Sequence, residues 1–276
     1  MGTLDGKVAI ISGSGRGIGA AIAGKLAGAG AKVVVNDLDD GPAKDTVEAI
    51  VAAGGEAVPC VGSVTDPEFA EKFVQTALDS FGGLDIIVNN AGYTWDSVIQ
   101  KMTDEQWYAM IDVHLTAPFR ILRAASEHIR TSAKHEAAAG TPVTRKVVNI
   151  SSIAGTSGNA GQAGYSAGKA GVVGLTKTMA KEWGRYNVTV NSVAFGLIKT
   201  RLTDAPADGV STIQIQERDI KVGISAQLMS AMEAGIPLGR AGTPTDAANA
   251  VYLFCIPESD YISGELVVCG GGLANC

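Results

Sequence analysis

The sequence predicts an α/β fold: a single doubly wound parallel sheet with helices on both faces. Three observations predict it. Short runs rich in Val and Ile alternate with helical stretches along the whole 276-residue chain. The first of these runs passes through a glycine-rich turn straight into a small-residue helix. Finally, Asp37, Asn89, Ser152 and Ala194 all stand where apolar runs end, the edge at which a parallel sheet collects its ligands.

Taken in order, residues 7–12 (KVAIIS) read as a strand buried on both faces. The turn Gly13-Ser14-Gly15-Arg16-Gly17-Ile18-Gly19 follows, then a helix over 20–29 and a strand over 32–36 with Asp37 at its tip. A helix is expected over 45–53, a strand over 57–61 interrupted by Pro59, and a helix over 67–81. Residues 85–89 (DIIVN) form a strand that opens into Asn90-Ala91-Gly92. Thr103 and Gln106 have capping-box spacing and start one long helix running to about Thr131. Residues 132–145 are polar, contain Gly140 and Pro142, and read as a surface loop. A strand over 146–151 ends at Ser152, and a loop of glycines and small residues leads to a helix that carries Tyr165 and extends to Tyr186. A strand over 189–194, a helix opened by Thr243-Pro244 and running to Cys255, and a strand over 265–268 complete the pattern. With no boundary or repeat, residues 1–276 read as one domain.

Composition narrows the partners. A net charge of −6 leaves no basic footprint for nucleic acid. No apolar run reaches the ~20 residues of a membrane span, and the N-terminus lacks a signal-peptide pattern, so a cytoplasmic chain is expected. Cys60, Cys255, Cys269 and Cys276 have no metal-ligand spacing, which fits reduced thiols and no metal site.

Two constellations point to chemistry. Tyr165 and Lys169 are four residues apart on a helix and so share a face. An ammonium close to a phenol favours the phenolate, giving a proton donor and acceptor near neutral pH, with the Ser152 hydroxyl free to orient a carbonyl oxygen. A lone Y-x-x-x-K is usually just a surface pair; its place at the carboxyl end of a sheet is what raises it. The glycine turn reads as G-x-x-x-G-x-G through Gly13, Gly17 and Gly19, letting a pyrophosphate approach the N-terminus of the helix. Asp37, with Leu38 beside it, accepts from adenosine ribose hydroxyls and repels a 2′-phosphate, whereas Arg16 would attract one. The short-range carboxylate is weighed above the flexible arginine, so NAD is expected over NADP.

Ser12-Gly13-x-x-x-Gly17-x-Gly19, Asn89-Asn90-Ala91-Gly92, Ser152, Tyr165-x-x-x-Lys169 and Phe195-Gly196-x-Ile198-x-Thr200 occur in an order and spacing that resemble the short-chain dehydrogenase/reductase family, from Lys7 to Gly272. The resemblance implies a Rossmann domain, a homotetramer, a nicotinamide coenzyme and a small-molecule substrate. It makes Tyr165 the acid/base, Lys169 the group that lowers its pKa and binds the nicotinamide ribose, and Ser152 the holder of the substrate oxygen. It places Gly13, Arg16, Gly17, Ile18 and Gly19 along the pyrophosphate and Asn90, Ala91 and Gly92 near the adenosine-side ribose. Ile198 and Thr200 would meet the carboxamide, and residues 199–240 would form a substrate lid. The chain departs from the family at three points: Phe195 replaces a usual proline, Ser63-Val64 replaces the Asp-Val that meets adenine, and His114 replaces the asparagine that supports a proton path to the lysine. Val113-His114-Leu115 resembles the 3-hydroxyacyl-CoA dehydrogenase branch, and overall the chain also looks like the 3-oxoacyl-[acyl-carrier-protein] reductases.

The apolar positions Ile213, Ile215, Ile220, Val222, Ile224, Leu228, Met229, Met232 and Ile236 suggest a greasy lid, with Trp95 a further candidate for the same pocket. The expected reaction interconverts a secondary alcohol and a ketone, with Asp37 favouring oxidation because cellular NAD pools are mostly oxidised. Steroid, terpenoid and polyol dehydrogenases share every motif used here. A coenzyme-binding sensor or scaffold would keep the glycine turn and Asp37 but has no use for Ser152, Tyr165 and Lys169 together.

Overall fold

The computed structural model describes residues 2–201, 203, 211–215, 218–223 and 225–273. Ile224 and Cys276 therefore lie outside the described residues. The chain runs β1 (Val8–Ile11), α1 (Gly17–Gly28), β2 (Lys32–Asp37), α2 (Asp40–Ala52), β3 (Glu56–Val61), α3 (Phe69–Phe81) and β4 (Ile86–Asn89). It continues through α4 (Asp104–Ile111), a π-helical turn (Asp112–Thr116), α5 (Ala117–Ala139), β5 (Arg145–Ser152), α6 (Ile153–Ser157), α7 (Ala163–Trp183) and β6 (Val188–Phe195). Last come the hairpin β7 (Ser211–Ile215) and β8 (Arg218–Val222), then α8 (Ala226–Ala234), α9 (Pro244–Tyr252) and β9 (Leu266–Cys269).

Seven strands form one parallel sheet in the order β3-β2-β1-β4-β5-β6-β9. The run read as doubly buried is so: every residue of β1 is buried, as is every residue of β4 and β6. One core layer joins Ile22 and Leu26 of α1 to Val251 of α9, and the other joins Phe73 of α3 and Ile121 of α5 to Trp183 of α7. Burying a side chain such as Phe73, which has no exposed surface, stabilises the fold by roughly 1.5–3 kcal/mol. Strand order reverses at β1, whose neighbours are β2 and β4, so the glycine turn opens at the switch point of the sheet.

Four expectations change. The strand over 57–61 is not interrupted: β3 runs through Pro59, because β3 is an edge strand that pairs only with β2 and its missing N–H costs no ladder bond. The second helix begins at Asp40 rather than 45, with Pro42 tolerated in its first turn. The long helix after Thr103 starts with the expected capping box but is broken by the π turn at Asp112–Thr116. Most of the expected loop over 132–145 is helix, since α5 continues to Ala139 and ends at Gly140 in the left-handed conformation. There Glu136 accepts a bidentate pair from Arg145 at the start of β5, at 2.5 and 2.9 Å. The polar composition of that stretch is the solvated face of a helix. Shorter additions are α6 and a 3₁₀ turn over Gly184–Tyr186 that ends the Tyr165 helix.

Candidate active site

A cavity of about 1090 Å³ runs along the carboxyl ends of β1, β2, β4, β5 and β6. Every residue assigned from sequence to catalysis or to the coenzyme lines it: Gly13, Arg16, Gly17, Ile18, Gly19, Asp37, Leu38, Ser63, Val64, Asn90, Ala91, Gly92, His114, Ser152, Tyr165, Lys169, Ile198 and Thr200; Trp95, a candidate for the same pocket, is not among the lining residues.

The glycine turn is built by polar groups that the sequence reading passed over. Asn36 Oδ1 accepts from the Gly13 N–H at 3.0 Å, while its Nδ2 donates to the carbonyls of Cys60 and Gly62, both at 3.0 Å. The Ser12 hydroxyl accepts from the N–H groups of Asn90 and Ala91 at 3.0 and 3.1 Å, and Asn90 Nδ2 donates to the Gly13 carbonyl at 2.9 Å. These bonds join the ends of β1, β2 and β4 into one rigid rim. Asn36 was visible as a polar residue ending an apolar run. Gly19 is required by close approach, since a Cβ there would lie 2.0 Å from the Gly13 oxygen. That leaves backbone open at the N-terminus of α1, where N–H groups and the helix dipole suit a pyrophosphate. Asp37 marks the far end of the cavity. A dinucleotide therefore fits this half of the cavity, which both Asp37 and Tyr165 line. Ser63 and Thr65 hydroxyls lie 2.8 Å apart beside buried Val64. The Ile198 segment is fixed by Gly242, whose carbonyl accepts from Lys199 N–H at 2.9 Å.

Ser152 ends β5 and caps α6, its Oγ accepting from Ala154 N–H at 3.1 Å. Its hydroxyl also faces the Tyr165 phenol and favours the phenol's ionised form. Lys169 is buried, its Nζ donating to the Ile150 carbonyl at 2.8 Å and standing 5.7 Å from the centre of the Tyr165 ring. Ser151 Oγ donates to the Lys169 carbonyl at 2.8 Å, which locks α7 onto β5. The expected ammonium-stabilised phenolate is corrected by these surroundings. Enclosure raises Tyr165 above its ordinary value, with the Ser152 hydroxyl pulling down and Asp96 pushing further up. Burial also lowers Lys169 to about 7, so its charge is itself partly lost. Desolvation is the largest influence on both groups, and it favours the neutral phenol.

His114 sits in the π turn, 2 % exposed, with its ring edge-on to Tyr165 at 4.8 Å between centres. Its Nε2 meets the Tyr93 carbonyl at 2.8 Å; a carbonyl only accepts, so Nε2 carries the proton. Nδ1 is then an acceptor, buried with no partner among the described residues. Burial and the nearby Lys169 hold His114 well below its ordinary value, so the ring is neutral. It fills the space left by Gly92, where a Cβ would lie 2.4 Å from the ring.

The outer mouth holds residues not foreseen. Asp96 accepts from Gln162 Nε2 at 2.7 Å, and both line the cavity beside Tyr165. Arg218, on the β7–β8 hairpin, pairs with Glu105 at 2.8 Å and lies over the Trp95 ring at 5.4 Å, docking the hairpin on the mouth. The greasy lid is only partly realised. Ile215 lines the cavity, but Met229 and Ile236 pack against Leu197 and Ala241, Ile220 is buried, and Leu228 and Met232 face outwards. Phe195 is buried at the end of β6. Burial pushes the Cys255 thiol up to about 12 and raises Cys60 and Cys269. Among the described residues no cluster of His, Cys, Asp and Glu is placed to hold a metal, and no helix is long and apolar enough to cross a membrane.

Comparison with known proteins agrees with this geometry. A family model described as short chain dehydrogenase matches residues 7–209. The 3-oxoacyl-[acyl-carrier-protein] reductase FabG of Vibrio cholerae serotype O1 is 37% identical over 98% of both chains. The 3-oxoacyl-[acyl-carrier-protein] reductase of Synechocystis is 38% identical over 99% of both. The short-chain reductase protein NovJ of Streptomyces niveus is 35% identical over 96% of this chain and 93% of its own. With the match extending through both the coenzyme half and the substrate half of the fold, the chain belongs to the short-chain dehydrogenase family and is an oxidoreductase of carbonyl or hydroxyl groups that uses a nicotinamide coenzyme.

Proposed function

We propose that the chain is an NAD-linked oxidoreductase that interconverts a secondary alcohol and a ketone on an acyl-thioester or similarly lipophilic substrate, as in a 3-oxoacyl reductase or 3-hydroxyacyl dehydrogenase. The observation that carries the reaction type is the meeting of Ser152, Tyr165 and buried Lys169 on one cavity wall. Full-length similarity to proteins named 3-oxoacyl-[acyl-carrier-protein] reductase supports the acyl substrate. When bound, the nicotinamide supplies or accepts the hydride. Ser152 donates to the substrate oxygen, and Tyr165 delivers its proton to that oxygen in reduction and takes it back in oxidation. A neutral phenol is ready to donate, which suits ketone reduction near pH 7, whereas alcohol oxidation gains as pH rises toward the raised pKa of Tyr165. Lys169 holds the nicotinamide ribose. His114 acts as a positioning residue, fixing Tyr93 and the edge of the Tyr165 ring. Gly13 through Gly19, with Asn90, Ala91 and Gly92, line the phosphate and ribose path, and Asp37 favours NAD.

Residues 199–240 serve as the lid of a single domain spanning 1–276, and the family resemblance adds a cytoplasmic homotetramer. A polyol substrate is the second reading, favoured by Asp96 and Gln162 beside Tyr165, which present polar groups where an acyl chain needs none. A screen of acyl thioesters, steroids and polyols in both directions tests the assignment. Highest kcat/KM on a 3-oxoacyl or 3-hydroxyacyl thioester is expected; turnover confined to polyols or steroids would overturn the substrate class.

A further inference from the structure

The adenosine end of the cavity carries more charge than Asp37 alone. Arg16 Nη2 donates to Asp39 Oδ2 at 2.6 Å, and its Nε stands 3.8 Å from Asp37 Oδ2, too far for a hydrogen bond. Asp39 is itself placed by its backbone N–H, which donates to Asp37 Oδ1 at 3.1 Å. Arg201 also lines the cavity and belongs to the same cluster, disfavoured as a cation by burial and Arg16 and favoured by both carboxylates. Two guanidinium groups therefore face two carboxylates, and the cluster is neutral.

We propose that Asp39 is a coenzyme-specificity residue that acts through Arg16, holding its guanidinium away from the place of a 2′-phosphate. The inference rests on the reading that NAD is the coenzyme. Arginine is the side chain best shaped to bind a phosphate, because its planar fork offers paired donors and a permanent charge. Arg16 is at the right place for it, in the turn that opens α1 and within reach of Asp37. Held by Asp39, its Nη2 is engaged and its charge partly offset. Asp37 repels the 2′-phosphate; Asp39 withholds the group that would otherwise attract it. Neutralising Asp39 leaves two cations facing one carboxylate. Asp39 is the N-cap of α2 but makes no side-chain cap bond, and asparagine is as good at that position, so Asp39→Asn keeps the fold.

The test is a fluorescence titration of NADH and NADPH against the wild type, Asp39→Asn and the double variant Asp39→Asn with Arg16→Gln. The wild type is expected to bind NADH more tightly. Asp39→Asn should bind NADPH roughly tenfold more tightly than the wild type does, the scale of one charge-assisted hydrogen bond, with NADH affinity little changed. Arg16→Gln should erase that gain. An unchanged NADPH-to-NADH ratio in Asp39→Asn, or a gain that survives Arg16→Gln, would overturn the role of Asp39 while leaving the NAD reading in place. Tighter NADPH binding by the wild type would overturn the NAD reading itself, and with it this role of Asp39.

Discussion

His114 shows most clearly how one residue can hold a site together. Its ring fills the space beside Gly92 and Tyr165, and its Nε2–H pins the Tyr93 carbonyl. Asparagine can donate to the same carbonyl from a smaller side chain; alanine leaves both a cavity and an unpaired acceptor. His114→Ala should cost about 2–4 kcal/mol of unfolding free energy and His114→Asn clearly less, read from denaturant unfolding. The ring also makes stability pH-dependent. Its folded pKa lies below the ordinary 6.5, so below pH 6.5 the unfolded chain takes up a proton that the folded one refuses. This contribution is whole above pH 6.5 and is lost as pH falls toward the folded value, with a slope of up to about 1.4 kcal/mol per pH unit. His114→Asn should flatten the acid limb relative to wild type. Identical acid limbs would contradict a neutral buried ring.

At the scale of elements, the decisive contacts are those linking segments far apart in sequence. Arg145 is a buried cation at the start of β5, satisfied by Glu136 of α5 and the Leu84 carbonyl. Removing the carboxylate strands a buried charge, so Glu136→Ala should destabilise by roughly 3 kcal/mol. Glu127→Ala, which breaks the exposed pair with Arg130 on the same helix, should leave the unfolding midpoint in place. Equal midpoints for the two variants would contradict the account of α5. This pair also explains what local reading could and could not see. The strands, the glycine turn, the Thr103–Gln106 capping box and the Thr243-Pro244 helix start were legible because apolar runs, glycines, Thr-x-x-Gln and Thr-Pro carry their causes locally. The last turns of α5 were not, because 132–139 is polar and its partner Arg145 lies across the fold. The π turn was hidden for a similar reason, since nothing within Asp112–Thr116 announces that His114 must reach Tyr93. The continuity of β3 through Pro59 depended on its being an edge strand, a property of the whole sheet.

At the scale of the whole molecule, the parallel sheet brings residues following each of β1 to β6 to one cavity. Residue patterning pointed to Gly13, Gly17, Gly19, Asp37, Ser152, Tyr165 and Lys169, and the family resemblance to the other predicted lining residues such as Asn90, Ile198 and Thr200. The roles of Asn36, Ser12, Asp96, Gln162 and Arg218 went unread, since they come from partners 20 or more residues away. Electrostatics also had to wait for the fold: an i, i+4 Tyr–Lys pair suggests a lowered phenol pKa, whereas enclosure of both groups raises it. The central claim is that Tyr165 moves the proton while the rest of the cavity holds the coenzyme. Replacing Tyr165 by Phe removes only the hydroxyl. Its turnover, measured in both directions alongside an NADH titration, should fall at least ~100-fold while NADH still binds with near wild-type affinity. Undiminished turnover in Tyr165→Phe would contradict the mechanism.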